Sequence, residues 1–188
     1  MRFVQLLAIS AVLTLGCGDT SGVGSLCPEP GVLPIGCSRS DVSLEGPAFM
    51  QARIDTSQFS LDENDVLVWH FDGTTLVLLG MPGTASPAGF GYIDIQVKFF
   101  GPGTYPLEFA LDSPGLGFYG VFAGDPPEPV ASYQTLGGDN TGTLHISAFD
   151  STLGVVAGTF AFKAIRNDGG TGVVRVTEGR FRIRTRLI

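Results

Sequence analysis

The C-terminal quarter of the chain, residues 141–187, constrains the fold more than any other stretch. It contains three runs in which apolar and polar residues alternate, with Gly, Asp and Asn between the runs. A period of two residues is typical of strands with one buried face, and Gly, Asp and Asn favour turns. The pattern therefore predicts three consecutive antiparallel strands, and in the last of them Phe181 and Ile183 should face the core.

The same alternation continues through the preceding part of the chain, most clearly at Val66–Phe71, Thr74–Leu79 and Gly91–Phe100. The first two runs are joined at Asp72-Gly73, a pair that favours a type I′ hairpin turn with positive φ at both residues. Gly and Pro recur every few residues and would interrupt an amphipathic helix. We expect an all-β fold, an antiparallel β-sandwich or barrel-like domain of about nine or ten strands, over residues 47–188.

The first residues have the composition of a secretion signal. Met1 and Arg2 precede an apolar run, Phe3–Leu15, that is shorter than the roughly 20 residues of a membrane-spanning helix. Gly16-Cys17 follows directly and resembles the lipobox of bacterial lipoproteins, in which the Cys is lipidated and becomes the new N-terminus. The resemblance implies a signal peptide over residues 1–16 and a lipid anchor at Cys17.

Two alternatives stay open, an ordinary signal peptide cut nearby and a buried N-terminal strand. The lipoprotein interpretation places the protein in a bacterial cell envelope. In lipoproteins of this type, Gly18 rather than Asp after the Cys favours the outer membrane.

Residues 17–46 are rich in Gly, Ser and Pro, which favours a flexible tether between the anchor and the domain. With Cys17 lipidated, Cys27 and Cys37 remain as a pair in an oxidising compartment, and we expect them to form a disulfide. The chain-entropy model gives such a short loop a stabilisation of about 2–3 kcal/mol. Metal binding by the two thiols is the alternative, but no His lies near them.

The formal net charge of −7 argues against a nucleic-acid partner. Five of the eleven lysines and arginines nevertheless lie between Arg175 and Arg186. Four arginines alternate along the last strand and would form a cationic stripe of roughly 20 Å: Arg180, Arg182, Arg184 and Arg186. The stripe is a candidate site for lipid phosphates, an acidic polysaccharide or a partner protein. The alternative is a solvated face whose arginines pair with acidic side chains on neighbouring strands.

Several aromatic residues could form a platform on which a sugar stacks. Tyr92 and Tyr119 are the candidates, because each alternates away from more apolar neighbours. The alternative assigns the aromatics to the core, with Phe118 and Phe122 on one face of a strand and Trp69 between Leu67 and Phe71.

Catalytic and metal-binding patterns are weak. The chain has two histidines and no Gly-x-Ser-x-Gly motif, so we expect no enzyme and no cofactor. His145 and Ser147 fall on one strand face, where Ser and Thr are common. Calcium is an alternative at three acidic turns, although Asp and Asn also form turns by themselves. Those turns contain Asp62, Asn64 and Asp65; Asp139 and Asn140; and Asn167 and Asp168.

Short motifs in the last strands resemble β-rich bacterial lipoproteins that are grouped as a domain of unknown function. The motifs are Gly142-Thr143-Leu144, Asp150, Ala157-Gly158-Thr159-Phe160-Ala161-Phe162 and Gly179-Arg180-Phe181, and the resemblance spans most of residues 48–184. The resemblance implies a β-sandwich-like lipoprotein and brings no catalytic residue with it. We expect a non-enzymatic envelope protein that binds a glycan or a protein partner. A structural or assembly component without a small ligand, and an envelope hydrolase, are the alternatives.

Overall fold

The computed structural model describes residues 42–109 and 115–184. All regular structure in these residues is β-strand, and eleven strands are present. They are β1 (Phe49–Ile54), β2 (Ser57–Leu61), β3 (Val66–Phe71), β4 (Thr75–Met81), β5 (Phe90–Lys98), β6 (Gly103–Leu107), β7 (Gly115–Ala123), β8 (Glu128–Gln134), β9 (Gly142–Asp150), β10 (Val155–Arg166) and β11 (Val173–Arg184). Over the same residues, no helix long and apolar enough to cross a membrane is found.

The strands form one antiparallel sheet that is not closed into a barrel. Its main order is β2-β1-β11-β10-β8-β7-β5-β4-β3, and β9 and β6 extend it from β10. β8 and β10 share only two paired positions, at Ile165 and Arg166 of β10. The sheet folds over at this narrow junction. We call β2, β1, β11, β10, β9 and β6 the first layer. The second layer consists of β8, β7, β5, β4 and β3.

The two layers enclose a single hydrophobic core to which strands of both contribute. Gly80 of β4 faces Met50 of β1 so closely that a Cβ at residue 80 would lie 2.5 Å from the Met50 sulfur. A Cβ at Gly117 of β7 would lie 3.0 Å from the Phe162 ring of β10. Both glycines therefore allow a side chain of the first layer to pack closely against a strand of the second.

The C-terminal trio is the centre of the first layer, as its pattern predicts. β10 pairs with β9 on one side and β11 on the other, and Phe181 and Ile183 are buried in the core. β10 is buried on both faces near its start, where Val155 and Ala157 have no exposed surface although they point outward in register with Arg184 and Arg182.

The segment 42–47, which we call the strap, accounts for part of this burial. The sequence assigns most of it to the tether, but it is held against the outer side of the first layer. The Ser147 hydroxyl donates to the Val42 carbonyl at 2.9 Å, and Val42 is 4% exposed. Hydrogen bonds from two arginines of β11 hold the rest of the strap.

The all-β antiparallel prediction is confirmed, but two details of it are wrong. The number of strands is eleven rather than nine or ten, since β2 was not recognised in a stretch rich in Ser, Gln and Asp. The turn at Asp72-Gly73 is not type I′, because only Gly73 has a positive φ. The Asp72 carboxylate accepts hydrogen bonds from the Thr74 and Thr75 amides, and these lower its pKa. That side-chain interaction stabilises a longer turn.

Candidate functional site

The structure places the predicted binding residues at three separate positions. Tyr119 lies between the two layers, and Tyr92 lies on the outer face of the second layer. The arginines of β11 lie on the outer face of the first layer. Cys17, Cys27, Cys37 and Arg186 lie outside the described residues. The tyrosines and arginines therefore do not form one site.

Tyr119 lines a cleft with a volume of about 430 Å³ at the open end of the core. One wall comes from the turn between β1 and β2 and the start of β11, and the other from β5, β7 and β8. The lining residues are Ile54, Asp55, Thr56, Ser57, Gln58, Phe59, Gly91, Tyr119, Val121, Tyr133, Val173 and Val174. The surface that these residues expose to the cleft is more polar than apolar, with aromatic groups on one wall and polar groups on the other.

Two tyrosines form the aromatic wall of this cleft. Tyr119 and Tyr133 are opposite each other on β7 and β8, with ring centroids 6.2 Å apart and planes tilted by 30°. Tyr119 lies over Gly91, where a Cβ would be 2.7 Å from its hydroxyl oxygen. Burial raises the pKa of Tyr119, and the neighbouring Tyr133 and Asp55 raise it further. Its hydroxyl therefore stays protonated at neutral pH and can donate a hydrogen bond.

The polar wall is the β1–β2 turn, which is fixed to β11. Asp55 adopts a φ of 51°, which is uncommon for a residue with a side chain. Its amide donates to the Arg175 carbonyl at 2.8 Å, and its carboxylate accepts from the Arg175 amide at 3.0 Å. These two bonds hold the turn in place, so that its exposed residues Thr56, Ser57 and Gln58 line the cleft mouth.

Two arginines of β11, Arg182 and Arg184, interact with the strap rather than with acidic side chains. Arg182 donates to the Pro47 carbonyl at 2.8 Å and to the Ser43 carbonyl at 3.2 Å. Arg184 donates to the carbonyls of Gly46 at 3.3 Å and Leu44 at 3.1 Å. Arg182 also lies over the Phe49 ring, 5.0 Å from its centroid. Two of the four arginines in the predicted stripe therefore have a structural role, whereas Arg180 is exposed on the same face.

Tyr92 belongs to an aromatic cluster on the outer face of the second layer. Its ring lies 5.6 Å from that of Phe118 and 5.5 Å from that of Phe122, centroid to centroid. Phe118 and Phe122 thus lie on the outer face and not in the core, contrary to the alternative interpretation. Asp94 lies on this face in register with Phe118, and its Oδ1 is buried without a hydrogen-bond partner. Burial raises the pKa of Asp94, although a hydrogen bond from Gln96 opposes the effect.

The residues considered for catalysis and calcium binding have other partners. His145 Nδ1 lies 3.0 Å from the Thr104 hydroxyl, and the Ser147 hydroxyl contacts the strap. Asp62 accepts from the amide of Asn64, and Asp168 pairs with Arg166 at 2.7 Å. Within 42–109 and 115–184, no three His, Cys, Asp or Glu side chains are grouped so as to hold a metal ion.

Sequence reasoning did not select Tyr133 for the binding site. The stretch around it contains several Pro and Gly residues and looked like a loop with only a short strand, whereas β8 spans Glu128–Gln134. The sequence includes Tyr133 among the aromatics that could form a sugar platform, but only the pairing of β7 with β8 places it beside Tyr119. The residues of the β1–β2 turn, on the opposite wall, were also missed, because only the packing of distant strands brings them to the cleft.

No protein-family model matches the chain, and comparisons with curated proteins and with solved structures found no match either. The resemblance to β-rich lipoproteins therefore stays a prediction.

Proposed function

We propose that the protein is a non-enzymatic binding module of a bacterial cell envelope, attached by lipid at Cys17, that binds a glycan in the tyrosine cleft. The observation that carries the proposal is the pair of walls around this cleft. Tyr119 and Tyr133 offer two adjacent rings, and the β1–β2 turn offers hydroxyl, amide and carboxylate groups opposite them. Sugar rings present apolar C–H faces and a rim of hydroxyls, which match these two walls.

The number of carboxyl groups in the cleft favours binding of a glycan over its cleavage. Among its described lining residues, Asp55 supplies the single carboxyl group, and this carboxylate already accepts a hydrogen bond from the Arg175 amide. Most glycoside hydrolases place two carboxyl groups on either side of the scissile bond. The leader sequence supports the location, because the apolar run Phe3–Leu15 followed by Gly16-Cys17 resembles the leader of bacterial lipoproteins.

Isothermal titration of the full chain with chitotetraose and with a neutral β-glucan tetrasaccharide tests the proposal. Tyr119→Ala and Tyr133→Ala should each weaken binding of the active sugar about fivefold, since one aromatic contact is worth about 1 kcal/mol. Tyr92→Ala is the matched control, because it removes a half-buried tyrosine from the outer face of the same layer. Equal losses in all three variants, or no binding of either sugar, would contradict a glycan site in the cleft.

An assembly role is the second candidate, and a specific observation favours it. The outer face of the second layer is broadly apolar: Val66 and Val68 are 37% and 46% exposed, and the aromatic cluster lies on the same face. Apolar patches of this kind often mark contacts between proteins. Sedimentation of the full chain over a range of concentrations tests this role. Val68→Lys should abolish any association, whereas Val173→Lys, at an exposed valine on β11, should leave it unchanged.

A further inference from the structure

The outer face of the first layer carries most of the lysines and arginines of the described chain. We define the basic face by Arg53 of β1, Lys163 of β10, and Arg175 and Arg180 of β11. Lys163 and Arg175 are directly opposite each other, and Arg180 is opposite Gln51 in the adjacent strand. Residues opposite each other in register project to the same side of a sheet, so these cations share one surface.

The four side chains of the basic face make no ion pair within the described residues, although the Asp55 carboxylate lies nearby and accepts from the Arg175 backbone amide at 3.0 Å. None of the four side chains makes an ion pair or a hydrogen bond there, whereas Arg166 pairs with Asp168 at 2.7 Å. Glu178 lies in the bulge of β11 near this face, at a φ of 54°, and it makes no ion pair either.

Like charges directly opposite each other destabilise a sheet, and the chain has 18 Asp and Glu residues that could have paired with them. Four unpaired cations on one face of an otherwise acidic protein therefore indicate an anionic partner.

The position of the strap favours a lipid surface over other anionic partners. It crosses the same outer face, held by Arg182 and Arg184, and its first described residue is Val42 beside Ser147. The described chain therefore begins on the side of the basic face, and the predicted lipid anchor at Cys17 precedes Val42 by 25 residues in the sequence. An anchor on this side favours contact of that face with the surface that holds the anchor.

We propose that the basic face docks on an anionic lipid surface through Arg53, Lys163, Arg175 and Arg180, which bind lipid phosphates. The proposed orientation of the domain on the membrane depends on the lipid anchor proposed at Cys17. The affinity of the basic face for anionic lipid does not depend on that anchor. Guanidinium and ammonium groups both bind phosphate, and each basic residue near such a surface adds to the attraction.

Vesicle sedimentation of the full chain carrying Cys17→Ser tests the proposal without a lipid anchor. The chain should bind phosphatidylglycerol–phosphatidylcholine vesicles more strongly than pure phosphatidylcholine vesicles, and the latter correct for any insertion of the apolar leader. Arg180→Gln should lower the partition coefficient about fivefold, and Lys163→Gln combined with Arg175→Gln roughly 25-fold. Raised salt should remove the difference between the two vesicle types.

Lys98→Gln is the matched control, because Lys98 is an exposed cation on the outer face of the second layer. Equal losses for Lys98→Gln and Arg180→Gln, or equal binding to both vesicle types, would overturn the proposal. Binding to dextran sulfate but not to anionic vesicles would also overturn it and assign the face to an acidic polysaccharide. Chitotetraose titration of Arg180→Gln separates this outcome from binding in the cleft, because Arg180 does not line the cleft and this variant should retain sugar binding.

Discussion

Removing the Arg182 side chain should detach the strap from the domain and destabilise the fold. Arg182→Ala deletes two hydrogen bonds to strap carbonyls, those of Pro47 at 2.8 Å and Ser43 at 3.2 Å. It also deletes the contact between the guanidinium and the Phe49 ring at 5.0 Å. The sequence interpretation, in which this arginine pairs with an acidic side chain, provides no reason for the strap to respond.

The expected loss of stability follows from these contacts. A net contribution of about 0.5–1 kcal/mol for each partly exposed hydrogen bond and about 0.5 kcal/mol for the ring contact gives about 2 kcal/mol. For a domain of this size, about 2 kcal/mol corresponds to a decrease in Tm of about 4–8 °C. Arg182→Lys should recover only part of it, because an ammonium group lacks the planar fork that reaches two carbonyls at once.

Urea unfolding, followed by the fluorescence of the single tryptophan, measures the change. Limited chymotrypsin digestion should also cleave the variant faster at Leu44 as the strap detaches. Arg180→Ala is the control, since Arg180 shares the strand and the face but makes no bond to the strap. It should stay within about 0.5 kcal/mol of the parent protein. If both variants lose equal stability, or if Leu44 stays protected in Arg182→Ala, the assigned role of Arg182 is wrong.

Two further predictions concern the second layer. Burial raises the pKa of Asp94 above 3.8, so the folded state binds its proton more tightly and loses stability as pH rises through that range. Asp94→Asn should therefore raise Tm at neutral pH, and the gain should vanish below about pH 3.8 in melting curves; a gain that does not depend on pH would contradict this origin. Trp69→Phe should cost about 1–2 kcal/mol in urea unfolding, because it removes the indole hydrogen bond to the Gly154 carbonyl at 2.9 Å. Val68→Ala, on the adjacent exposed position, should change stability by less than half as much.

Much of the secondary structure could be predicted from the sequence, because alternation reports directly on which residues face a core. β3 has the predicted bounds, Val66–Phe71, and the buried positions of β5, and of β11 at Phe181 and Ile183, follow the predicted period. β2 was missed because its apolar residues, Phe59 and Leu61, are too few to form a recognisable run. A strand of five residues at the edge of a sheet requires only a short apolar pattern.

The candidate site was less accessible to sequence reasoning. Tyr92 and Tyr119 look equivalent in the alternation, but they lie on opposite faces of the second layer. A strand pattern distinguishes two faces and cannot say which neighbouring strand supplies the residue opposite. The pairing of Tyr119 with Tyr133, and of Lys163 with Arg175, depends on strand order and register. Both are properties of the whole sheet.

The sequence by itself determined the all-β class, the buried face of most strands and the position of the turns, since these depend on period and on local turn chemistry. Tertiary structure alone decided the strand order, the strap across β11 and the cleft beside Tyr119. The physical reason is that these features join residues far apart in the chain, such as Ser43 with Arg182 and Asp55 with Arg175. Such contacts form only when the two layers close on a common core and bring distant strands into register.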